Sequence, residues 1–430
     1  MAVSMPSRAD GGRRLTAFLA ALCLFLSAIE YMLPRPVPFM RLGLSNLPLL
    51  LAVDLLPFGA YMALALVKVA GMSVLSGSLF SYVAVFSLAG TLASALVMRG
   101  VRAVAGHRLV SYVGLCVAGA VSSNMVQVAL ARVFVFGAGA RYMAPAFLAL
   151  GLASGLGLGA FAQVFARRSR WLAGLYDASA PGDAPPRGVG AGIEAYGTDD
   201  AEPVGAGSST TPRKRKAASP GQIARRERWE RLFSPGRLAL AGAAASLAVM
   251  LNPSLPGRCA VLALAVVAGW FSGRRLSPVT TLLVMVGIVG SNLLVPAGRA
   301  LAAWGPFTVT ETALLEGISK AVGFECLIFL SKASLLPGLR LPGRLGALFG
   351  DALATYGRIL ERAPRVRASN FMLDIDSALV SVYNRGDGES AGGADSRPDA
   401  APAEPGPRGS NGGDRFLPLA PILAAAAFFL

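Results

Sequence analysis

Leu15-Thr-Ala-Phe-Leu-Ala-Ala-Leu-Cys-Leu-Phe-Leu-Ser-Ala-Ile-Glu-Tyr-Met-Leu33 carries a single charge and lies close behind Arg8, Arg13 and Arg14. A helix that crosses about 30 Å of hydrocarbon at 1.5 Å per residue needs roughly 20 apolar residues, so this stretch has the length of a membrane span. It also has the look of a signal peptide, but it exceeds the roughly 7–15 apolar residues of one, and the residues after it continue its pattern. Further apolar runs lie at Asn46 to Ala60, Tyr61 to Val74, Phe80 to Met98, Arg108 to Val133 and Tyr142 to Phe165. Pro57, Phe58 and Gly59 join the second and third of these six in a tight hairpin or in partly broken helices. After a long polar gap come Leu238 to Leu251, Cys259 to Phe271, Pro278 to Val295 and Thr312 to Ser331. The expectation is an all-α, polytopic membrane protein of about ten transmembrane helices, a six-helix bundle at 15–166 followed by a four-helix membrane block at 235–336.

Composition narrows the function. Of 430 residues, 54% are hydrophobic and 15% charged, against roughly 25% charged in soluble domains, which excludes an ordinary soluble enzyme. The net charge of +16 sits in short segments flanking apolar runs, a pattern set by membrane topology rather than by nucleic acid. Cys23, Cys116, Cys259 and Cys326 fall within or beside apolar runs without CxxC spacing, so they read as buried small residues. His107 is the single histidine, which leaves little for a metal or acid–base site. No GxxxxGK[ST] loop, GxSxG elbow, HExxH pair or Rossmann glycine motif is present, and the one Asp-Asp pair, Asp199-Asp200, lies in the polar gap. No catalytic residue, metal or cofactor is expected, and any ATP hydrolysis belongs to another chain.

An N-terminus inside places Arg99, Arg102, Arg108 and everything after Arg167 on the cytoplasmic side, with Arg274 and Arg275; the opposite loops hold Arg35, Arg41, Arg132 and Arg141. That is the positive-inside arrangement of a bacterial inner membrane protein. From 167 to 234 the chain turns to Gly, Pro, Ala, Ser and charge, including Arg213 to Lys216 and Arg225 to Arg228. Such a linker cannot bury enough apolar surface to fold, and it reads as a basic cytoplasmic tether drawn to anionic lipid. Trp229 and Phe233 fit an interfacial helix at its end. Residues 337–384 read as amphipathic interfacial helices, 385–415 as a disordered tail, and 416–430 as a short apolar segment.

Ionisable groups in hydrocarbon cost several kcal/mol unless paired or wetted, so each is a functional candidate. Glu30, Asp54 and Lys68 qualify in the first block, with Lys68 expected to pair with Asp54 or Glu30 beside a solute cavity that Asn124 and Gln127 join. The plainer reading makes these groups helix glue, or has them snorkel to the headgroups. In the second block Glu316 and Lys320 are four apart, and Glu325 and Lys332 continue the edge. These form either a polar stripe between helices or a surface that docks the first block or an ATPase. Thr310 or Thr308 is placed to cap that helix.

Four pieces carry a resemblance: Arg41-Leu-Gly-Leu-Ser-Asn-Leu-Pro48, Leu66-Val-Lys-Val69, Phe86-Ser-Leu-Ala-Gly90 with Ser94 and Met98, and Gly119-Ala-Val-Ser-Ser-Asn-Met-Val-Gln127. Residues 15–166 thereby resemble the Gx transporter family, also labelled heptaprenyl diphosphate synthase component I, whose members look like S components of energy-coupling factor (ECF) transporters. Where that family often shows histidine before the asparagine, this chain has Ser123. The resemblance implies an S-component fold, a small vitamin-, flavin- or prenyl-related solute, and ECF-type ATPase subunits or a coupling component as partners. A second, weaker resemblance, to the coupling component of such transporters, rests on Phe307 to Ser319 and Leu330-Ser-Lys-Ala333. The alternative implied by the family label is a non-catalytic membrane subunit for polyprenyl diphosphate or quinone synthesis; another is a scaffold for an electron-transfer assembly.

Overall fold

The computed structural model describes residues 8–32, 43–169, 171–174, 219–252, 254–274, 277–304 and 307–362, together with Asp376 and Leu417. Most of the linker, the tail and all but Leu417 of the apolar end lie outside these residues, as do Arg35, Arg41 and the side chain of His107. The described chain is nearly all helix. In the first half α1 covers Arg8–Met32, α2 Leu47–Leu55, α3 Phe58–Ser76, α4 Tyr82–Leu109, α5 Tyr112–Ala131 and α6 Ala140–Arg168. In the second, α7 covers Pro220–Leu232, α8 Pro235–Leu251, α9 Leu255–Phe271, α10 Pro278–Leu293, α11 Glu311–Ser334 and α12 Gly343–Arg362.

By length and composition, four stretches among the described residues can cross a membrane: Gly11–Glu30, Phe58–Ser76, Tyr82–Gly106 and Tyr112–Arg168. The bent pair α7 and α8 raises that to five, so the ten spans of the sequence reading are not reached on this criterion. The fourth stretch, at 57 residues, folds back on itself. A π-helical turn at Arg132–Phe136 and a 3-10 turn at Gly137–Gly139 reverse the chain, and α6 then returns along α5. Tyr112 N–H donates to Gln163 Oε1 at 3.1 Å, Gly155 packs on Cys116 and Ala120, and Gly151 packs on Asn124; numbers rise on one helix as they fall on the other. Small residues let the backbones close. A Cβ at Gly159 would stand 2.7 Å from Val113 Cα, which is the small-residue contact of helices packed in lipid.

The run Asn46 to Ala60 is where expectation and structure part. Pro57, extended at ψ 156°, ends one helix and starts the next, as a residue with fixed φ and no N–H does. The helix left before it, α2, has nine residues and is about 14 Å long, half of a bilayer core. Leu47 to Val53 are all buried, and α2 touches α1, α3, α4, α5 and α6, so it is an internal half-helix at the centre of the first block.

In the second half α11 is the hub, packed on α8, α9 and α10. A two-stranded hairpin precedes it, Ala300–Trp304 against Phe307–Thr310, with Ala302 opposite Val309; nothing in the all-helical reading anticipated it. Thr310 leaves α11 uncapped by its side chain, because its Oγ1 accepts from Ala297 N–H at 3.0 Å. The segment read as an interfacial helix, α12, spends its apolar face on the first block. Leu348, Phe349, Ala352 and Ile359 join the core of α1 and α3, and Asp351 meets Arg13 at 2.8 Å.

Replacing Gly159 with valine is expected to lower the stability of the detergent-solubilised protein by about 1–3 kcal/mol. Gly157→Val, which meets open space, should leave the melting curve in place, and equal melting of the two variants would remove the α5–α6 contact as described.

Candidate functional site

The half-helix has two ends inside the bundle, and each gathers polar side chains. At its C-terminus the last carbonyls lack helical partners, and Arg99 of α4 supplies donors, Nη1 reaching Val53 O and also Leu56 O at 3.1 Å. One turn further along α4, Arg102 meets Asp54 through two contacts, Nε to Oδ1 at 2.9 Å and Nη2 to Oδ2 at 3.1 Å. The two side chains are 8% and 2% exposed. The Tyr112 hydroxyl donates to Asp54 Oδ2 at 2.9 Å, its ring lies 5.4 Å from the Arg102 guanidinium carbon, and Arg102 Nη1 donates to Val110 O at 2.8 Å. The Nε–Oδ1 approach is an ionic contact without a hydrogen bond, so the pair is hydrogen-bonded through Nη2 and flanked by the ring, and removing either charge leaves the other buried.

At the N-terminus the chain enters from Gly43, whose φ of 77° is left-handed and suits glycine. Gly43 N–H donates to Glu30 Oε1 at 2.9 Å. Asn46, the residue before α2, accepts a hydrogen bond from Lys68 Nζ. Lys68 is 3% exposed and is the eleventh of the nineteen residues of α3, so this contact sits halfway along a helix long enough to cross the bilayer.

The four candidates of the first block therefore have four different surroundings. Asp54 goes to Arg102 and Lys68 to Asn46. Asn124 Nδ2 lies 3.4 Å from Phe147 O of α6. Gln127 Nε2 donates to Ser123 Oγ at 2.9 Å, and both pack against Gly90 of α4. Asn124 and Gln127 lie three apart and so about 60° from each other around α5, yet the first meets α6 and the second α4. Asn46, Arg99, Arg102 and Tyr112 were missed as site residues; the arginines look from sequence like loop charges, and the signal for Asn46 was its place one residue before Leu47-Pro48.

The second-block candidates meet the first block directly. Lys320 Nζ lies 2.5 Å from Glu316 Oε1 and 3.3 Å from Asn292 Oδ1. Asn292 Nδ2 donates to Val135 O at 3.1 Å, in the turn between α5 and α6. Gly137 of that turn, at φ 54°, stands so near that a Cβ would be 2.7 Å from Lys320 Nζ. Eleven residues along α11, about 17 Å, Ser331 Oγ accepts from Phe80 N–H at 3.0 Å, in the turn between α3 and α4. Tyr82, Phe86, Phe134 and Phe324 fill the space between, with ring centroids 5.1–6.4 Å apart. Since α4 and α5 are antiparallel, both turns lie at one end of the first block, and α11 runs across that end. Glu325, 3% exposed, accepts instead from Thr281 Oγ1 of α10 at 3.3 Å.

Residues 19–165 match the family model of heptaprenyl diphosphate synthase component I. The match contains α2 and every residue named at its two ends, and it falls on the stretch whose motifs carry the resemblance. Residues 237–336, which hold α11 and its partners, match a domain of unknown function, DUF8519. No curated protein and no solved structure matches the chain. With its apolar helices, the chain is a membrane protein, and its first half is similar to a membrane component related to heptaprenyl diphosphate synthase.

Removing one charge of the buried pair exposes the other to an apolar interior, at a cost of about 3–5 kcal/mol. Arg102→Leu is therefore expected to lose most folded protein on detergent extraction, while Asp54→Leu combined with Arg102→Leu recovers part of it. Equal losses in the single and double variants would show that the pair is not coupled.

Proposed function

We propose that this chain is an ECF-like membrane transport component in which the first block binds a small solute at the N-terminal break of α2 and the second block holds that block across its end. The observation that carries the reading is the half-helix. Discontinuous helices that stop near mid-bilayer are where transporters place their substrates, because the free N–H groups and positive dipole end of the half-helix attract anionic groups. Here that end, extended by the 3-10 turn Leu44–Asn46 that takes up the N–H groups of Asn46 and Leu47, lies beside Lys68, half-way along α3, with Asn46 between them, so the attraction rests on the dipole and the lysine. The solute is accordingly one with an anionic group, within the vitamin-, flavin- or prenyl-related class that the resemblance implies. The two remaining first-block candidates, Asn124 and Gln127, act in this reading by holding α4, α5 and α6 together around α2. Energy is supplied by a separate ATPase, and α11 is the element that transmits movement, since both end turns of the first block rest on it, one at Ser331 and the other at Lys320 and through Asn292 of the neighbouring α10.

A second reading has its own support in the family match, whose description is that of a component of a prenyl-diphosphate synthase. In it the chain is a non-catalytic membrane subunit and the same anionic-group site receives a prenyl diphosphate.

The test is to purify the protein from its native membrane in mild detergent and identify the retained small molecules by mass spectrometry. The expected result is one anionic molecule, retained by the unaltered protein and by Gln127→Ala but reduced at least tenfold by Lys68→Ala and by Asn46→Ala. Retention unaffected by both substitutions, in protein that elutes as folded, overturns the site. Co-purification of a soluble prenyl synthase would select the second reading over the first.

A further inference from the structure

Glu30 and Lys68 are buried opposite charges, 7% and 3% exposed, that do not pair with each other. Each meets a neutral group of the α2 entrance instead. Glu30 Oε1 accepts from Gly43 N–H at 2.9 Å, and Lys68 Nζ donates to Asn46 Oδ1. Gly43 and Asn46 are the two ends of one hydrogen-bonded turn, Asn46 N–H donating to Gly43 O at 2.8 Å, and three residues of 3-10 backbone are about 6 Å long. The carboxylate and the ammonium thus flank that turn, held apart by a span comparable with a small organic molecule.

The carboxylate is not spent by its contact with Gly43. Its two oxygens offer about four acceptor sites, and among the described residues Glu30 has no hydrogen bond on Oε2 and no ion pair, although almost all of the side chain is out of water. A buried carboxylate with one N–H donor is well short of the partners it needs. The turn has an open side: Asn46 is exposed, and Gly43 and Leu44 are half-buried. A Cβ at Gly43 would stand 3.3 Å from Asn46 Nδ2, so the Asn46 carboxamide lies back across the turn, between the two charges. Opposite charges set a fixed distance apart match a molecule that itself carries both signs. A purely anionic molecule would suit Lys68 and meet Glu30 as a repulsive neighbour.

We propose that Glu30 is the second recognition group of this site and that the solute is zwitterionic, with a protonated nitrogen on Glu30 and its anionic group on Lys68. This rests on the reading of the α2 entrance as the solute site. It narrows that reading, because a prenyl diphosphate has no cationic group to offer Glu30. As a mere tie for the turn, Glu30 needs only an oxygen for Gly43 N–H, which glutamine also provides; as a recognition group it needs its charge.

The full-length protein is purified from its native membrane in mild detergent, and the molecule whose retention is lost in Lys68→Ala is assigned by tandem mass spectrometry. The expected molecule carries a basic nitrogen in addition to its acid group. Glu30→Gln, which keeps an acceptor for Gly43 and removes the charge, should lower retention of that molecule by about tenfold at an unchanged melting temperature. A retained molecule without a basic nitrogen overturns the zwitterion and leaves the Lys68 site in place, and so does full retention by folded Glu30→Gln. Should that variant fail to fold, the structure of the molecule held by the unaltered protein decides alone. Retention indifferent to both Lys68→Ala and Asn46→Ala removes the solute site itself, and the zwitterion with it.

Discussion

A helix that stops inside an apolar bundle has to satisfy the backbone groups it exposes, and the first half of this protein is organised around that constraint. An uninterrupted span meets the demand internally; α2, nine residues long and buried from Leu47 to Val53, cannot. Its last carbonyls take Arg99, and the carboxylate of Asp54 beside them takes Arg102 and Tyr112. Its first turn is entered through the left-handed Gly43, tied to Glu30, and through Asn46, tied to Lys68. Substituents from α1, α3, α4 and α5 are thereby fixed to one short element, so the same polar contacts that terminate the half-helix also set the positions of its neighbours. The two ends do different work. The C-terminal end is met by two arginines and a tyrosine, whereas the N-terminal end is continued by the 3-10 turn Leu44–Asn46, which takes up the N–H groups of Asn46 and Leu47 on Gly43 O and Leu44 O and sets Asn46 against Lys68.

The second half enters this arrangement from one side. Turns at Phe80 and Gly137 rest on α11 at Ser331 and Lys320, and an aromatic cluster fills the gap between them. A rigid helix touching two turns about 17 Å apart along its axis constrains the α3–α4 and α5–α6 hairpins relative to each other. At the far end of the chain α12 adds its apolar face to α1 and α3. The first block is thus bounded by two elements from beyond the linker, although residues 19–165 match one family by themselves.

Much of the helical layout was legible because apolar run length is a direct consequence of helix geometry in lipid, and the runs from Phe80 to Phe165 coincide with α4, α5 and α6. The half-helix was half legible. Pro57 signalled a break, but whether the residues before it cross the bilayer or stop within it depends on whether Arg99 and Arg102 can reach back to them, a contact between residues far apart in the chain that no local pattern encodes. The hairpin before α11 was not legible at all: Ala300 to Trp304 is too small-residued to alternate. Among the candidates, Lys320 and Glu316 were found by their four-residue spacing, and Asn292, which joins them to Val135, was hidden because a single asparagine in an apolar run has no pattern to belong to.

Charge near a span can serve topology or structure, and this protein separates the two uses. Counting Arg99, Arg102 and Arg274 together assigns them to one side of the membrane. Yet Arg274 donates to Leu335 O, just past the end of α11 that holds the Phe80 turn, while Arg99 and Arg102 lie toward the opposite end of α4. An arginine paired with Asp54 is electrically neutralised and one that caps carbonyls is anchored by them, so neither weighs on orientation as a free cation in a loop does. The charge that the fold does not use internally stays exposed, as at Arg167 and Arg168 at the end of α6 and at Arg228 and Arg231 on α7. The arginines of α4 belong instead to the contacts that let a helix end inside the bundle.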